Sequence, residues 1–576
     1  MRRRHALVLT PWMLLAACDD GAATTGSGAS SSASSTASST ASTGTGGGGA
    51  PDIAWSPCSI LTDGPGEDAQ CAILEVPASY AEPGKGTVPF SIKRIPASTQ
   101  PAKAQVWFMN GGPGGSVVDF EPIAEYLHGY DDTLDLYLPE HRGVGRSGRL
   151  SCPTEEAPAS DGGYEVTLAE MPACIQYLKD TWGDRLAGLS AENAARDVGE
   201  TIARTRAPGE DVFLYGISYG SHWGNRYLQL YPDQATGVAL GALAVNFSFT
   251  IIDRRFNELG ERFMAACGAD AFCASKLGPD PWARMTALMQ SLDAGHCPEV
   301  QALGVDRAIV REVSASLFYG WDDRTLVPPL VYRLERCSPA DVNAITHLVD
   351  ALVARSAAPL TASDRNASIL LGDHIGLSEM WAAGAPPQAD LEAYAATANV
   401  SPDVAVDMGA LRDEWPVYTP NPALAGKPAA TSIPILLQNG EYDFITSADY
   451  QPLVDALGGA HQSFVEYPRA THDPWTAVTA AGGSCGLIDF YAFVKDPEKA
   501  PDPACLGFVI PIGFTVDPAY ASAYFGTTDA WEGDPGPATA AFARSNSTLK
   551  RAVKFRISRE ARRAARSSAA TGPIRP

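Results

Sequence analysis

The fold is decided by residues 212–221, which read VFLYGISYGS. A run of β-branched and aromatic residues leads directly into the pattern G-x-S-x-G, and a helical pattern follows at 221–231. Glycines suit this pattern because the serine sits in a tight, strained turn where larger side chains would collide with backbone. Such a turn presents a hydroxyl at the carboxyl edge of a sheet, beside a helix N-terminus that favours negative charge. The stretch therefore predicts a strand–turn–helix unit with Ser218 as a nucleophile; a glycine-rich turn without chemistry is the alternative.

Short β-rich runs alternate with helical runs on both sides of this turn. The strand signal fades over 246–425, where Phe256, Leu259 and Phe263 recur at helical spacing, and then it returns. This alternation predicts an α/β fold around a mostly parallel sheet, with a helical segment inserted between two parts of one sheet. The candidate strands lie at 72–76, 89–95, 105–109, 134–138, 212–215, 237–243, 433–438 and 463–467.

A glycine-rich stretch upstream is a candidate oxyanion hole. Residues 108–116 read FMNGGPGGS and follow a candidate strand. Glycines let this backbone fold closely and turn its N–H groups toward a bound carbonyl oxygen. The expected donors are the N–H groups of Gly112 and of Tyr219, which comes directly after the candidate nucleophile. A plain loop is the alternative.

A serine nucleophile of this type needs an acid and a base that follow it in the order Ser, Asp, His. Asp443 comes just after the buried run at 433–438, and His472 is the histidine that follows the last strand. We therefore expect His472 to act as the base and Asp443 to orient it. Asp473 is a competing acid, although an adjacent residue rarely reaches its neighbour's Nδ1.

Together these motifs resemble the tripeptidyl/prolyl aminopeptidase-like branch of the α/β hydrolases, including its C-terminal module, over about 55–510. NGGPGGS at 110–116 is similar to its oxyanion motif, RGVGRS at 142–147 to its R-G-x-G-x-S turn, and GEYD at 440–443 to its acid motif. The resemblance implies an α/β-hydrolase fold with an inserted helical cap, and a serine peptidase that uses Ser218, Asp443 and His472. The chain departs from the family at Glu140-His141, where Asp-Gln is frequent, and in lacking a cap disulfide.

An aminopeptidase must bind a free α-ammonium group, which requires carboxylates in the cap that face the serine. Glu258, Glu261 and Glu379 are the candidates, and a solvated position on a helix face is the alternative for each. No metal or cofactor is expected, and peptides are the expected substrates. A carboxylesterase or lipase with the same triad, or a non-catalytic surface binding protein, is the alternative function.

The chain has eleven cysteines, an even number once Cys18 is set aside. An oxidising compartment favours pairing, and the ten fall into sequential couples, although sequence alone does not determine connectivity. No Cys/His cluster has zinc spacing. The expected pairs are Cys58–Cys71, Cys152–Cys174, Cys267–Cys273, Cys297–Cys337 and Cys485–Cys505; in the family that the motifs resemble, disulfides fall at the second and fifth.

The N-terminus predicts export to the bacterial cell envelope. Three arginines precede a short apolar run, and LAAC at 15–18 resembles a lipobox, so residues 1–17 would be removed and Cys18 would carry acyl chains. An ordinary signal peptide, and hence secretion, is the alternative. Residues 18–52 are rich in Gly, Ala, Ser and Thr and would form a tether that holds the protein at a membrane.

The net charge of −23 over 576 residues argues against nucleic acid as a partner. Residues 541–576 carry a net charge of +9, so a basic tail that contacts anionic lipid or the acidic body, or stays solvated, is expected at the C-terminus. The oligomeric state is left open. The expected body comprises a hydrolase core at 53–245, a helical cap at 246–425, a second core part at 426–525 and the tail at 526–576.

Overall fold

The strands of the protein lie where its apolar runs predict them. The computed structural model describes residues 52–356, 358–445, 450–457 and 461–537, so the predicted leader, Cys18, most of the tether and the basic residues of the tail lie outside the described residues. One short N-terminal strand was not anticipated from the sequence. The strands are β1 (Ser56–Cys58), β2 (Ala69–Pro77), β3 (Thr87–Ile95), β4 (Ala104–Met109), β5 (Leu134–Pro139), β6 (Asp211–Ile217), β7 (Gly237–Gly241), β8 (Ile435–Gly440) and β9 (Gln462–Tyr467).

These strands form one nine-stranded sheet in the order β1-β2-β3-β5-β4-β6-β7-β8-β9. The pairs from β5 through β9 are parallel, whereas β1, β2 and β3 are joined antiparallel and attach to β5 antiparallel. In the register of the central strands, Tyr215 lies opposite Phe108 on one side and Ala239 on the other. The sheet is therefore mostly parallel, as the sequence predicts.

Helices connect and cover the strands. Those outside the β7–β8 connection are α1 (Glu121–Tyr130), α2 (Met171–Trp182), α3 (Ala191–Thr205), α4 (Tyr219–Leu230), α16 (Gln451–Ala456), α17 (Cys485–Lys495) and α18 (Pro518–Phe525). Strands β4 to β8 are almost entirely buried, because α1 and α17 pack on one face and α2, α3 and α4 on the other. Burial on both faces explains why these strands are mostly apolar on both sides, with few polar residues such as Gln105, Asp135 and Gln438.

The connection from β7 to β8 is helical. Phe256, Leu259 and Phe263 are buried along α5, as their spacing predicts for one helix face. We call this connection the cap. Its helices are α5 (Ile252–Ala269), α6 (Ala271–Leu277), α7 (Pro281–Asp293), α8 (Pro298–Gln301), α9 (Arg307–Leu317), α10 (Val327–Arg336), α11 (Pro339–Ser356), α12 (Ala362–Asn366), α13 (Ile369–Glu379), α14 (Gln388–Thr397) and α15 (Val404–Leu411).

Five disulfide bonds join cysteines that are neighbours in sequence. They are the same five pairs that the sequence suggests: 58–71, 152–174, 267–273, 297–337 and 485–505. Such bonds are typical of proteins that fold outside a reducing cytosol. Within the described part of the chain, no helix is long and apolar enough to span a membrane.

Residues 526–537 pack against the body, although the sequence assigns them to the basic C-terminal tail. Trp531 is buried, and its Nε1 donates to the carbonyl oxygen of Phe514 at 3.0 Å. Arg333 of α10 donates to the carbonyl oxygen of Ala530 at 2.6 Å, and Lys276 of α6 forms an ion pair with Glu532 at 2.7 Å. The segment carries acidic rather than basic side chains, which match the cationic groups of the cap, so the body extends to at least Glu532.

Candidate active site

Ser218 lies at a sharp turn between β6 and α4. Its backbone has φ 57° and ψ −126°, a left-handed region that residues with a side chain rarely adopt. The flanking glycines are required by space: a Cβ at Gly216 would lie 2.2 Å from the carbonyl oxygen of Gly220, and one at Gly220 would lie 2.1 Å from that of Met109. The pattern G-x-S-x-G therefore forms the strained strand–helix turn that the sequence predicts.

Hydrogen bonds hold this turn against the end of β7. The N–H of Ser218 donates to the carbonyl oxygen of Gly241 at 2.9 Å. The hydroxyl of Ser221 donates to the carbonyl oxygen of Ser218 at 2.6 Å and accepts from the N–H of Ala244 at 2.8 Å. These bonds help to stabilise a backbone conformation that is unfavourable by itself.

The glycine-rich stretch after β4 lies directly beside Ser218. A Cβ at Gly111 would lie 2.8 Å from the Cβ of Ser218, so only glycine allows this approach. Asn110 shapes the loop, since its Oδ1 accepts from the N–H of Gly111 at 2.8 Å and its Nδ2 donates to the carbonyl oxygen of Ser116 at 2.5 Å.

The described part of the chain shows no acceptor that occupies either of the two predicted oxyanion N–H groups. No acceptor for the Gly112 N–H is found among the described residues. Tyr219 is the first residue of α4, where the backbone N–H has no acceptor within the helix.

Asp443 and His472 follow neighbouring parallel strands, β8 and β9, and are in contact. Nδ1 of His472 lies 2.8 Å from Oδ1 of Asp443, which also accepts from the N–H of Ile445 at 2.8 Å. Both side chains are buried, with 3 % of His472 and none of Asp443 exposed to solvent. The competing acid, Asp473, instead caps a short turn by accepting from the N–H of Trp475 at 2.8 Å.

An aromatic ring packs on the base, and two rings of the cap pack on that ring. Phe444 lies against the ring of His472, with a centroid separation of 4.3 Å. Phe256 of α5 stacks on Phe444 at 4.4 Å, and Tyr319 packs on it edge-on at 4.6 Å. Phe444 was not anticipated from the sequence, although its position next to Asp443 was an available signal.

Arg262 of α5 is a second residue that sequence reasoning missed. It donates to the carbonyl oxygen of Glu441 at 2.9 Å and to that of Asp443 at 3.2 Å. Because both acceptors are backbone atoms, no sequence pattern marks this contact. The cap thus supports the loop that carries the acid.

The three candidate carboxylates for an α-ammonium group occupy different environments. Glu258 is 42 % exposed in its side chain and pairs with Arg255 on the same helix at 3.1 Å. Glu261 is exposed and lines a cleft of about 440 Å³ with Asp280 and Trp282, whose lining contains neither Ser218 nor His472.

Glu379 is buried, and its carboxylate is already engaged. It accepts from the N–H of Ala191 at 2.9 Å and from the hydroxyl of Tyr418 at 2.6 Å, and it lies 3.3 Å from both His222 and Arg226. Burial acts to raise the pKa of Glu379, but these partners outweigh it and lower the pKa to about 2. Protein groups therefore occupy the Glu379 carboxylate that was expected to bind the ammonium group of a substrate.

Glu140 and His141, which stand where the resembled family often has Asp-Gln, lie beside the segments that carry the proposed oxyanion donors. Glu140 accepts from the N–H of Val117 at 3.1 Å, and burial raises its pKa to about 8. Nε2 of His141 lies 3.0 Å from the hydroxyl of Tyr219, and burial lowers the pKa of His141 to about 4. Both side chains are therefore held largely neutral at pH 7.

The topology and the strained serine turn define the class of protein: the chain has the α/β-hydrolase fold. Residues 106–274 match the family profile described as alpha/beta hydrolase fold. No curated protein sequence matches the chain. The family match runs from β4 to α6, in the first part of the cap, and includes Gly112 and Ser218.

Solved structures similar to this chain share little sequence with it. A thermostable carboxyl esterase from Bacillus coagulans is 14 % identical (TM-score 0.28), with 69 % of this chain and 90 % of that chain covered. A Paleococcus ferrophilus monoacylglycerol lipase is 14 % identical (TM-score 0.27), with 67 % and 91 % covered. An alpha/beta hydrolase from Novosphingobium aromaticivorans is 14 % identical (TM-score 0.30), with 70 % and 92 % covered.

Proposed function

We propose that the protein is a serine hydrolase in which Ser218, His472 and Asp443 act as nucleophile, base and orienting acid. The observation that carries this proposal is the 2.8 Å contact between His472 Nδ1 and Asp443 Oδ1, at the sheet edge where Ser218 occupies its strained turn. Since Nδ1 is engaged by the acid, Nε2 is the nitrogen left to accept the serine proton.

The reaction follows from this arrangement. Ser218 Oγ attacks a substrate carbonyl carbon while His472 Nε2 takes its proton, and Asp443 stabilises the imidazolium that forms. The negative charge that develops on the carbonyl oxygen is bound by the N–H groups of Gly112 and Tyr219. His472 then protonates the leaving group, and a water molecule releases the acyl group from Ser218.

The substrate we propose is a short peptide with a free N-terminus, from which the enzyme releases N-terminal residues or di- and tripeptides. The ordered motifs at 110–116, 142–147, 216–220 and 440–443 support this proposal through their resemblance to aminopeptidases. With Glu379 engaged by protein groups, Glu258 and Glu261 are the remaining candidates for binding the ammonium group.

A second candidate, a carboxylesterase or lipase with the same triad, is favoured by one observation. The most deeply buried of the three candidate carboxylates, Glu379, is bound to His222, Arg226 and Tyr418. An ester substrate would need no carboxylate in the cap.

A matched substrate panel tests these proposals. Peptide anilides with free N-termini, the same anilides with acetylated N-termini, and short p-nitrophenyl esters are compared on the wild-type chain and on Ser218→Ala. We expect rapid cleavage of the free anilides only, and loss of that cleavage in Ser218→Ala. Cleavage of esters alone would replace the peptidase by an esterase, and equal slow rates for wild type and variant would remove the catalytic proposal.

We further propose that the enzyme acts in the bacterial cell envelope, anchored through acyl chains on Cys18. The five disulfide bonds support export. Metabolic labelling with an alkyne fatty acid tests the anchor: the wild-type chain should be labelled, and Cys18→Ser should not.

A further inference from the structure

A single cap helix, α13, contacts both elements that carry the proposed oxyanion donors. The residue before its first turn, Ser368, bonds with the loop that contains Gly112. Its last residue, Glu379, bonds with α4, the helix that begins at Tyr219.

At the N-terminal end, backbone packs on backbone with no side chain between. The N–H of Ser368 donates to the carbonyl oxygen of Gly114 at 2.9 Å. A Cβ at Gly114 would lie 2.0 Å from the carbonyl oxygen of Ser368, and a Cβ at Gly372 would lie 2.9 Å from that of Pro113. The loop therefore has little room to move toward or away from α13.

At the C-terminal end, the contact is ionic and buried. The carboxylate of Glu379 lies 3.3 Å from Nε2 of His222 and 3.3 Å from Nη2 of Arg226, one and two turns into α4. It also accepts from the N–H of Ala191, at the start of α3. Because these groups are buried, removal of the Glu379 carboxylate would leave His222 Nε2 and Arg226 Nη2 without this acceptor, so the contact helps to hold α4 in place.

The two ends of α13 thus contact the two elements whose N–H groups would bind the carbonyl oxygen. The Gly112 loop follows β4 and α4 follows β6, so the parallel pairing of these strands sets where both elements start. It does not set how far apart their N–H groups lie beyond the strand ends. We propose that α13 sets the separation of the Gly112 and Tyr219 N–H groups, with Glu379 as a positioning residue. This inference rests on the proposed function, because the separation matters only if Ser218 attacks a carbonyl.

Two glycines of α13 provide a matched pair of variants. In Gly372→Ala the new methyl group meets the carbonyl oxygen of Pro113 at 2.9 Å and must displace the loop. In Gly376→Ala it meets the terminal methyl of Met408 at 2.4 Å, which can rotate away, and a ring carbon of Phe249 at 3.2 Å. Both changes raise helix propensity alike, so their difference reports the displacement of the loop.

The second pair tests the other end of the helix. Glu379→Gln removes the charge that pairs with His222 and Arg226. Asp341→Asn removes a charge that is equally buried and pairs with Arg333 and Arg336 in the cap. The control therefore carries a similar cost to stability without touching α4.

The measurements are kcat and KM on the panel substrate that the wild-type chain cleaves fastest, the rate of fluorophosphonate labelling of Ser218, and the thermal midpoint of each full-length variant. We expect Gly372→Ala and Glu379→Gln to lower kcat and the labelling rate about 10- to 100-fold with KM within about 3-fold, as for a small misplacement of catalytic groups. Gly376→Ala and Asp341→Asn should stay within about 3-fold of wild type in all three kinetic values.

The outcomes separate this inference from the proposed function. A wild-type chain that is labelled at Ser218, together with Gly372→Ala and Glu379→Gln variants that match their controls in kcat, would overturn the role of α13 alone. Losses of kcat that parallel the thermal midpoint across all four variants would also overturn it. A wild-type chain that neither reacts with fluorophosphonate nor cleaves any substrate of the panel would overturn both.

Discussion

Nδ1 of His472 and Oδ1 of Asp443 lie 2.8 Å apart although 29 residues separate them in the chain. The contact exists because β8 and β9 are parallel neighbours, so the loops that follow them emerge at one edge of the sheet. Asp473, adjacent to His472 in sequence, points its carboxylate to the N–H of Trp475 instead.

This relationship gives a prediction for the two acids. Asp443→Asn should lower kcat by about 10⁴-fold, because an amide no longer stabilises the imidazolium or selects its productive tautomer. Asp473→Asn should keep kcat within about 10-fold of wild type, since asparagine also caps the turn. Steady-state kinetics on the best substrate of the panel measure both effects. Similar losses of kcat in the two variants would contradict the assignment of Asp443 as the orienting acid.

The contact of Arg262 with the backbone of Asp443 gives a second prediction. Arg262→Met should lower kcat about 10-fold while the thermal midpoint changes little, because the guanidinium is partly solvated and holds the acid loop rather than the core. Arg254→Met, on an exposed side of the same helix, is the control and should leave kcat unchanged. Equal kinetics for the two variants would show that the loop keeps its place without Arg262.

Glu140 predicts a dependence of stability on pH. Its pKa is 4.5 in an unperturbed chain and about 8 in the folded protein, because burial favours the neutral acid. Between these values the folded state retains a proton that the unfolded state has lost, so stability falls as pH rises from about 4.5 to 8 and levels off above. One group contributes a slope of about 1.4 kcal/mol per pH unit.

Glu140→Gln should remove this slope, because the amide stays neutral throughout. The measurement is the free energy of unfolding in urea at pH 5, 6, 7 and 8, for wild type, Glu140→Gln and the exposed control Glu82→Gln. We expect the wild type to lose stability relative to Glu140→Gln with rising pH, while Glu82→Gln follows the wild type. Parallel curves for all three proteins would refute the prediction.

The disulfide bonds give a prediction on stability. Cys297–Cys337 closes a loop of 40 residues and Cys267–Cys273 one of 6. From the loss of loop entropy in the unfolded chain, the first bond should stabilise the folded protein by about 4 kcal/mol and the second by about 2 kcal/mol. Paired Cys→Ser variants, unfolded in denaturant, should differ by about 2 kcal/mol in that order. A larger loss for the short loop would mean that native packing around the cysteines outweighs loop entropy.

Some features were predictable because they depend on local chemistry. The strained turn at Ser218 needs glycines at 216 and 220, and this requirement is visible in the pattern G-x-S-x-G. The strands of the central sheet are buried on both faces, so each is a predominantly apolar run that is visible in the sequence. The five cysteine pairs are close in sequence and proved to be close in space.

Other features depend on contacts between distant segments and leave no local pattern. A glutamate in a helix of the cap has the same sequence signature whether it faces a ligand or α4. Only packing decided that the partners of Glu379 are His222 and Arg226. Arg262 bonds to backbone oxygens, which every residue possesses, so its target was not encoded in any motif.

By itself, the sequence determined the α/β class, the strained serine turn and the candidates for acid and base, because backbone sterics and apolar burial act over a few residues at a time. Only the tertiary structure decided that Asp443 rather than Asp473 contacts His472. It also decided that protein groups bind the carboxylate of Glu379 and that Trp531 is buried in the body. Those choices depend on strand order and on how the cap packs against the sheet, and both are properties of the whole chain.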